Sequence, residues 1–538
     1  MDKKAIFKLC KDQGCCDGCA VRFLGVKHPN AYEDLKKHIT QYQESSTNNG
    51  TATDSTETNS GLNTEDEKKT DKKENGHSKE NGDDSPVRKR RKTEACVCCL
   101  GVLEEETWPE CNLMLKEVLE KKGYDCQSFA CALSAPISTL LREKVLVLKI
   151  REAFPDYDPA CVTPLKEAWK WSFGAQLERP RCAAATSLLV TVTLEYPSEM
   201  PELELLKTIS PELFESRSKQ KRRFAVEFTR RSAEQALEGP VERIMKAGES
   251  LREAGRVRCV SVACVRDPIY VGGRYVKLSR ELSQTPWLVD GNRMMESSVQ
   301  EVIFDPLAKM LDIAAEEAEH RLKFMSAGRE DVDARCLGDG RPFAVEVADP
   351  RRMPTSEDYA KVCNVICKSG TVIVKKLCTV SKEELTILKQ GEESKHKTYE
   401  ALCIKLSHSA HETEKTPSDP VTVTPQDIAN INSYRNTPPS NPAAVIICQR
   451  TPIRVLHRRP LLARQREILS LKAETVPDHP QLFTLHIQTS AGTYVKEWVH
   501  GELGRCKPSL RDAIQASVDI LALDVAKVHL NWPSQADC

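Results

Sequence analysis

Two closely spaced cysteine pairs flank a long polar stretch, and they constrain this 538-residue chain more than any other feature. Cys16 and Cys19 form the first pair, and Cys96 and Cys99 form the second. Two intervening residues allow paired thiolates to reach one tetrahedral zinc ion at about 2.3 Å. Closing the loop between the pairs costs about 4 kcal/mol, whereas structural zinc supplies about 10 to 16 kcal/mol in small peptides. The spacing therefore predicts that these four cysteines hold zinc.

The predicted zinc site is structural, because four thiolates leave no open coordination position. The choice of ligands stays open, since Cys15 and Cys98 stand beside the two pairs. Free buried thiols without metal are the alternative. The sequence lacks the deaminase pattern H-x-E followed by P-C-x-x-C, which excludes that class of zinc enzyme. The 22 cysteines, without a secretory signal, indicate reduced thiols and not a disulfide framework.

The polar stretch from about residue 41 to 95 has almost no apolar residue, so we expect a disordered insertion. It ends in five consecutive basic residues, Arg88–Lys92, which favour a nuclear-import signal or a nonspecific nucleic-acid arm over a solvated charge run. We therefore expect the protein in the nucleus and the cytoplasm. A second polar, proline-rich stretch, from about residue 407 to 442, predicts a long surface insertion.

The charge and hydropathy of the chain exclude several classes of protein. Lysine and arginine together number 78, as do aspartate and glutamate, so nucleic-acid binding has to come from local basic patches. The sequence contains neither an N-terminal signal peptide nor eighteen consecutive uncharged apolar residues, so we expect a soluble protein without a membrane partner. We also expect a monomer.

Apolar spacing predicts the secondary structure in outline. Helical spacing occupies residues 111–123, 135–154 and 163–174, and a β-branched run over 187–194 predicts a strand. From residue 257 onward, short apolar segments alternate with turns, which predicts a mixed or antiparallel sheet with a few helices. The length favours two or three domains. We divide the chain into an α/β domain over 1–255 and an α+β domain over 256–538.

Residues 328–343, GREDVDARCLGDGRPF, are the strongest candidate for chemistry. By residue type alone, the string predicts a polar turn between strands. Common nucleotide-binding, metalloprotease and hydrolase motifs are missing, so an enzyme here should need neither nucleotide nor metal for its chemistry. The G-R-x-D portion of residues 328–343 resembles the catalytic loop of pseudouridine synthases. The longer string resembles the archaeal and eukaryotic tRNA pseudouridine synthase family with an N-terminal THUMP-containing domain.

Three further strings resemble segments of the same family in order and rough spacing. Residues 397–402, KTYEAL, resemble the segment whose tyrosine stacks beneath the target base. Residues 492–497, GTYVKE, resemble the motif whose basic residue pairs with the catalytic aspartate. Residues 266–287 resemble the family's signature at the start of its catalytic domain. The resemblance covers most of the chain outside the two polar stretches.

The resemblance implies roles for three side chains. Asp331, at the fourth position of G-R-x-D, is the expected nucleophile, and Asp333 is the rival carboxylate. Tyr399 is expected to stack on the base and to take part in proton transfer. Lys496 is expected to pair with Asp331. Whether the carboxylate attacks the base or the sugar stays open.

The resemblance also implies the fold and the reaction. A zinc-knuckle and THUMP-type RNA-binding domain should precede a pseudouridine synthase fold, which is a mixed, largely antiparallel sheet flanked by helices. The expected reaction isomerises a flipped uridine to pseudouridine in the T loop of tRNA, at uridine 55, uridine 54 or both, without an organic cofactor. Other structured RNAs are further expected partners. The alternatives are a zinc-containing RNA-binding or scaffold protein acting without catalysis, and an RNA methyltransferase, for which no cofactor loop is visible.

Two basic clusters are predicted to bind RNA phosphates, with solvated surface charge as the alternative. The first cluster has no acidic residue within its span and comprises Arg450, Arg454, His457, Arg458, Arg459, Arg464 and Arg466. The second lies where the family's THUMP domain binds tRNA and includes Lys221, Arg222 and Arg223. The resemblance further implies an aliphatic residue beside the site, for which Leu510 and Ile514 are candidates.

Overall fold

The computed structural model describes residues 2–43, 94–177, 181–183, 186–220, 226–251, 254–394 and 396–534. Most of the first polar stretch, the basic segment Arg88–Lys92 and the predicted RNA contacts Lys221, Arg222 and Arg223 lie outside the described residues. The chain divides into two units. The first contains Met1–Val118, Gln127–Thr186 and Val190–Cys264, and the second contains Leu119–Cys126, Ser187–Leu189 and Val265–Cys538. The domain division predicted at residue 255 stays a prediction.

Helices dominate the part of the chain that precedes residue 267. In chain order, the elements are α1 (Lys3–Asp12), α2 (Asp17–Phe23), α3 (Asn30–Glu33), α4 (Leu35–Ile39), α5 (Trp108–Lys122), β1 (Ser128–Ser134), α6 (Ser138–Ala153), α7 (Leu165–Ala175), β2 (Arg181–Cys182), β3 (Leu188–Glu195), α8 (Glu199–Ile209), α9 (Pro211–Lys219), α10 (Arg230–Ala236), α11 (Val241–Glu249) and β4 (Arg258–Arg266). The three helices and the strand predicted from apolar spacing are present, as α5, α6, α7 and β3. Among the described residues, no helix is both long and apolar enough to cross a membrane.

A small sheet and a helical core organise these elements. The strands follow the order β2-β1-β3-β4, with β1 and β2 parallel. Alternate residues of β3 are buried, which is the period that a half-covered strand requires. Helices α6, α8, α10 and α11 share an apolar core that includes Leu141, Leu206, Ala236 and Ile244. The N-terminal region is thus an α/β fold. Its assignment as a THUMP-type domain stays a prediction.

The part of the chain after residue 267 is built around one large sheet. In chain order, the elements are β5 (Ile269–Lys277), β6 (Leu288–Val289), β7 (Asn292–Arg293), α12 (Val299–Met310), α13 (Ala315–Arg321), β8 (Leu322–Ser326), β9 (Arg335–Val347), α14 (Ser356–Cys367), β10 (Val372–Val380), α15 (Glu384–Ser394), β11 (Lys397–Lys405), α16 (Pro425–Ser433), β12 (Val445–Arg450), β13 (Ala463–Thr475), β14 (Leu482–Thr489), α17 (Val495–His500), β15 (Cys506–Lys507), α18 (Leu510–Ile514) and β16 (Val518–Val528).

The strands of this sheet follow the order β10-β5-β9-β16-β11-β14-β13-β12-β15, and β8 pairs with β9. The pairing of β16 with β9 is parallel, whereas neighbours such as β5 with β9 and β11 with β14 are antiparallel. Helices α12 and α14 cover β5, β9 and β10 in one apolar core, and α17 and α18 contribute to a second core over β11, β14 and β16. The prediction of a mixed, largely antiparallel sheet flanked by helices is therefore confirmed.

The second polar stretch is more ordered than its composition predicts. Helix α16 lies within it and begins at a capping box formed by Thr424 and Asp427. The Asp427 side chain is buried and accepts a hydrogen bond from the fully buried Lys405 ammonium at 2.7 Å. Asn432 exchanges hydrogen bonds with the backbone of Ala473 in β13. The stretch is therefore a packed addition to the sheet and not only a surface loop.

Candidate active site

A cleft of about 240 Å³ lies within the second unit, beside the loop of residues 327–334 that joins β8 to β9. We call this segment the Asp331 loop. The three predicted catalytic side chains line the cleft together, although they come from the Asp331 loop, from β11 and from α17: Asp331, Tyr399 and Lys496. Five predicted RNA-binding side chains also line it: Arg454, Arg458, Arg459, Arg464 and Arg466. Arg450 and His457 are exposed and are not among the lining residues.

Two cations contact the Asp331 carboxylate. Arg454 Nη1 donates a hydrogen bond to Asp331 Oδ1 at 3.1 Å, and Lys496 Nζ lies 3.7 Å from Asp331 Oδ2. Lys496 donates shorter hydrogen bonds, of 2.7 and 2.9 Å, to the two carboxylate oxygens of Asp333. Lys496 is thus shared between two aspartates, and Arg454 is the nearer partner of Asp331.

Arg454 is itself held by the chain around it. Its Nε donates to Glu497 Oε1 at 2.7 Å, and its guanidinium lies 5.9 Å from the centroid of the Tyr494 ring. Although burial acts in the opposite direction, the carboxylates of Glu497 and Asp331 raise the pKa of Arg454. The place of Arg454 in the arginine-rich segment predicts phosphate binding and not a contact with Asp331. The motif strings gave no signal that would separate Arg454 from the neighbouring arginines.

Tyr399 forms part of the apolar wall of the cleft. It lies on β11 between Ile487 of β14 and Val525 of β16, and only 9% of it is exposed. Burial raises the pKa of Tyr399 to about 12, so its phenol holds its proton at neutral pH. The wall also includes Leu523, the next inward-facing residue of β16.

The aliphatic residue of the cleft was not found from the sequence. Leu510 and Ile514, the two candidates, are buried in the core around α18 and are not among the residues that line the cleft. Val455 and Val495 line it instead, as do Leu523 and Val525 of β16. Spacing along the chain gave no indication of Leu523 and Val525. A bulge in β16, opposite Thr398 and Tyr399 of β11, sets which residues of β16 face the cleft.

One further arginine of the cleft, Arg329, belongs to the Asp331 loop, and the others come from the segment between β12 and β13 and from β13 itself. Arg459 donates to the Tyr494 hydroxyl at 3.4 Å, and Arg464 is exposed. Arg466 lies against Gly492, where an added Cβ would be 3.0 Å from Arg466 Nη2. Gly492 has a φ of +73°, so a larger residue there would be strained and would also displace the arginine. These cations give the mouth of the cleft a positive charge.

A four-cysteine cluster in the first unit can hold a metal ion. The sulfurs of Cys16, Cys19, Cys96 and Cys99 all lie within 4.8 Å of one another. Cys16 Sγ is 3.7 Å from Cys99 Sγ, close to the spacing of about 3.8 Å that two sulfurs 2.3 Å from one tetrahedral ion must have. The backbone N–H of Cys16 donates to Cys96 Sγ, and that of Cys19 donates to Cys16 Sγ. The donor set therefore fits a metal ion that prefers thiolates.

The four cysteines predicted from spacing are the ones that cluster in this way. Cys15 and Cys98, which the sequence left as alternatives, are buried nearby. The cluster also contacts Arg22, a fully buried residue whose Nη1 donates to Cys19 Sγ at 3.7 Å and whose Nε donates to the Thr163 carbonyl at 2.8 Å. The site is therefore connected to the core of the first unit.

Comparison with known proteins identifies the family. The family described as "Pus10, C-terminal" matches residues 270–529, and "Eukaryotic Pus10, N-terminal" matches residues 96–248. The tRNA pseudouridine synthase Pus10 of Xenopus laevis is 31% identical over 99% of this chain and 98% of its own length. The same-named protein of Homo sapiens is 33% identical over 84% of this chain and 82% of its own, and that of Mus musculus is 34% identical over 85% and 82%.

Solved structures add only a distant similarity. A chain of a Cbf5-Nop10-Gar1 complex matches 47% of this chain and 48% of its own length, at 14% identity and with a TM-score of 0.24. That score supports no conclusion about the site. The two family matches and the full-length relatives suffice: this chain belongs to the Pus10 family of pseudouridine synthases.

Proposed function

We propose that this protein isomerises uridine to pseudouridine in the T loop of tRNA, at uridine 55, uridine 54 or both. The observation that carries the proposal is that Asp331, Tyr399 and Lys496, which are far apart in the sequence, line one cleft together with arginines. The relatives carry the name tRNA pseudouridine synthase, which supports tRNA as the substrate. Other structured RNAs that present a flippable uridine are further candidate substrates.

Asp331 is the proposed catalytic carboxylate. The isomerisation breaks the bond from the sugar to N1 of uracil and forms one to C5. C5 then loses a proton and N1 gains one, so the reaction needs neither a redox partner nor ATP. Arg454 and Lys496 contact different oxygens of the Asp331 carboxylate and fix the direction in which it faces. The carboxylate can attack either the base or the sugar from such a position.

Tyr399 supplies the surface on which the extruded base stacks. Its ring is buried between strands, so little conformational entropy is lost when a base packs against it. Leu523 and Val525 extend this apolar surface. Because its phenol is protonated at neutral pH, Tyr399 can donate a hydrogen bond or a proton before it accepts one.

The arginines at the mouth of the cleft are proposed to hold the phosphates on either side of the extruded nucleotide. Arg458, Arg459, Arg464 and Arg466 line the cleft beside the catalytic group. Phosphate contacts position a nucleic acid without reading its sequence, so selectivity for the T loop must come from RNA shape and from the base itself. The second cluster, at Lys221–Arg223, is proposed to add a separate tRNA contact.

We infer that the four-cysteine cluster holds a structural zinc ion. Four thiolates would complete its coordination, so the ion would supply stability to the first unit and no chemistry. No organic cofactor is required by the proposed reaction. We further propose that the protein acts as a monomer, that its N-terminal half is a THUMP-type RNA-binding domain, and that the basic segment Arg88–Lys92 directs part of the protein to the nucleus.

The proposal is tested by incubating the purified protein with an unmodified tRNA transcript and mapping pseudouridine base by base. We expect product at position 55, 54 or both of the T loop. A wild-type protein that binds the transcript without forming product would support the scaffold alternative. Product only outside the T loop would overturn the proposed substrate while leaving the reaction class in place.

A further inference from the structure

The segment from Tyr275 to Gln284, which belongs to the signature string of residues 266–287, has no part in the chemistry described so far. None of its side chains lines the cleft. Tyr275, Lys277 and Gln284 are nevertheless buried, and all three contact the Asp331 loop. Buried polar side chains are almost always hydrogen-bonded, and each of these three has a partner in the Asp331 loop. The buried side chains of this segment therefore hold the Asp331 loop through hydrogen bonds to Gly328, Glu330 and Asp331.

Lys277, the last residue of β5, is fully buried. Its Nζ donates to the carbonyls of Leu282 and Val332, each at 2.7 Å, and to the carbonyl of Asp331 at 3.2 Å. Three acceptors require three N–H donors, and only the charged ammonium has three. All three hydrogen bonds go to main-chain carbonyls, although a buried charge is usually paired with an opposite charge. The ammonium is thus placed against the backbone of the Asp331 loop.

Arg280 continues the same pattern by one residue. Its Nη1 donates to the carbonyls of Asp333 and Leu523, each at 2.9 Å, and its Nη2 donates to Asp524 Oδ1 at 2.6 Å. Lys277 and Arg280 together hold the carbonyls of three consecutive residues, 331 to 333. The contact to β16 also ties the loop to the strand that carries Leu523.

The opposite end of the Asp331 loop is held as well. Gln284 Nε2 donates to the Gly328 carbonyl at 3.0 Å. The buried carboxylate of Glu330 accepts hydrogen bonds from Arg341 Nε at 2.7 Å and from the Tyr275 hydroxyl at 3.0 Å. The loop has no regular secondary structure of its own, so these contacts hold its conformation together with backbone hydrogen bonds, among them those from Ala327 N–H to the Pro342 carbonyl and from Ala334 N–H to the Asp331 carbonyl.

We propose that Lys277 is a positioning residue for the isomerisation, and that Arg280 assists it. By fixing the peptide planes that follow Asp331, the ammonium fixes the direction of the Asp331 side chain toward the extruded nucleotide. The inference rests on the proposed function of Asp331. Without the ammonium, the carbonyls of Leu282 and Val332 would lose this donor, and the Asp331 carbonyl would keep only the N–H of Ala334 at 3.2 Å. The loop would then move to regain hydrogen bonds from water. A displacement of about 1 Å at the reacting group costs about 100-fold in rate.

The experiment compares Lys277→Met with Lys405→Met. Lys405 is a matched control because it is also fully buried in the second unit, but its ammonium contacts Asp427, Glu412 and the Thr422 carbonyl, away from the cleft. The measurements are the single-turnover rate of pseudouridine formation with enzyme in excess, the Kd for tRNA, and the thermal midpoint. We expect Lys277→Met to lower the rate about 100-fold, with the Kd changed by no more than about twofold.

A purely structural role would produce a different result. Lys405→Met should lower the thermal midpoint and leave the rate of the folded enzyme near that of the wild type. A folded Lys277→Met with the wild-type rate, or equal rate losses in both variants, would overturn the inference. Wild-type enzyme that forms no pseudouridine would instead remove the proposed function on which the inference rests, so the two failures are distinguishable.

Arg280→Met keeps the test open if Lys277→Met does not fold. The Arg280 side chain is 34% exposed, so its removal disturbs the core less, and Arg335 still pairs with Asp524. We expect its single-turnover rate to fall about tenfold, because one of the three loop carbonyls loses its donor. A wild-type rate in this variant would overturn the inference in that case.

Discussion

The guanidinium of Arg454 donates a hydrogen bond to the carboxylate of Asp331 at 3.1 Å, although the two lie 123 positions apart in the sequence. Arg454 is held in turn by the buried carboxylate of Glu497 at 2.7 Å. Asp331 is therefore oriented by Arg454, whose position in a run of arginines would predict phosphate binding. Experiments on the cleft should separate these two roles.

Asp331→Asn removes the ionised carboxylate and keeps the size of the side chain. We expect pseudouridine formation to fall by about 10⁴-fold or more, as when a catalytic carboxylate is neutralised in other enzymes, while tRNA binding is retained. Asp333→Asn is the matched control, because Asp333 lies in the same loop and contacts Lys496 at 2.7 Å. Base-by-base mapping of pseudouridine in the tRNA transcript measures product formation by both variants. Loss in Asp333→Asn with retention in Asp331→Asn would assign the chemistry to the rival carboxylate.

Arg454→Gln tests whether Arg454 orients Asp331 or mainly binds phosphate. We expect the single-turnover rate to fall about 10- to 100-fold, since Asp331 loses its nearer partner, with a smaller effect on the Kd for tRNA. Arg450→Gln is the control, because Arg450 is exposed and outside the cleft. A loss confined to binding in Arg454→Gln would show that its contact with Asp331 does not matter for the reaction.

Arg464→Gln and Arg466→Gln test the proposed phosphate contacts through their salt dependence. Each lost contact should lower the slope of log K against log salt concentration by about 0.7 to 0.9. Lys472→Gln is the control, because Lys472 is an exposed cation on the same strand, β13, and does not line the cleft. The slope is measured from tRNA affinity over a range of potassium chloride concentrations. A slope equal to that of the wild type in every variant would show that Arg464 and Arg466 are solvated surface charges without a phosphate contact.

Cys96→Ser tests the metal site without reference to activity. We expect elemental analysis to find one zinc per wild-type chain and to find it lost in this variant, because a hydroxyl replaces one of the four thiolates. Cys98→Ser is the matched control, since Cys98 is an equally buried neighbour outside the four-sulfur cluster. Zinc retained in Cys96→Ser and lost in Cys98→Ser would show that Cys98, and not Cys96, is the zinc ligand.

We expect the buried carboxylates around α16 to make the free energy of unfolding depend on pH. Burial by itself would raise the pKa of Asp427, but hydrogen bonds from Lys405 and Ser409 outweigh it and lower that pKa below its usual value. The pKa of Glu412 is also lowered, because the hydrogen bond from Lys405 outweighs burial. Since the unfolded values are about 3.9 and 4.3, both groups stabilise the fold above about pH 4, and this stability is lost as the pH falls through their folded pKa values.

The measurement is the free energy of unfolding in denaturant at about pH 6 and about pH 3. Asp427→Asn should make the difference between the two pH values smaller than in the wild type. Asp478→Asn, at an exposed turn where φ is +62°, is the control and should leave the difference unchanged. The same difference in all three proteins would mean that the ion pairs of Lys405 do not contribute to acid sensitivity.

Much of the local structure was predictable because side-chain periodicity is a property of neighbouring residues. The apolar spacing over 111–123 corresponds to α5, and the β-branched run over 187–194 corresponds to β3. Strands β5, β9, β13 and β16 were not singled out in the same way. The long strand β9 begins inside a string whose polar and glycine residues predict a turn, and pairing with β5 and β8 outweighs that local preference.

The sequence by itself determined the family, the cysteines that cluster, and the three residues proposed for the chemistry, because each stands in a short string whose residue types and spacing are local. Only the tertiary structure decided which cation meets Asp331 first, that Leu523 and not Leu510 lines the cleft, and that Lys277 and Arg280 hold the Asp331 loop. These contacts join segments that are distant along the chain. Strand order, register and the two irregularities in the pairing of β11 with β16 set their distances, and those depend on the packing of the whole sheet.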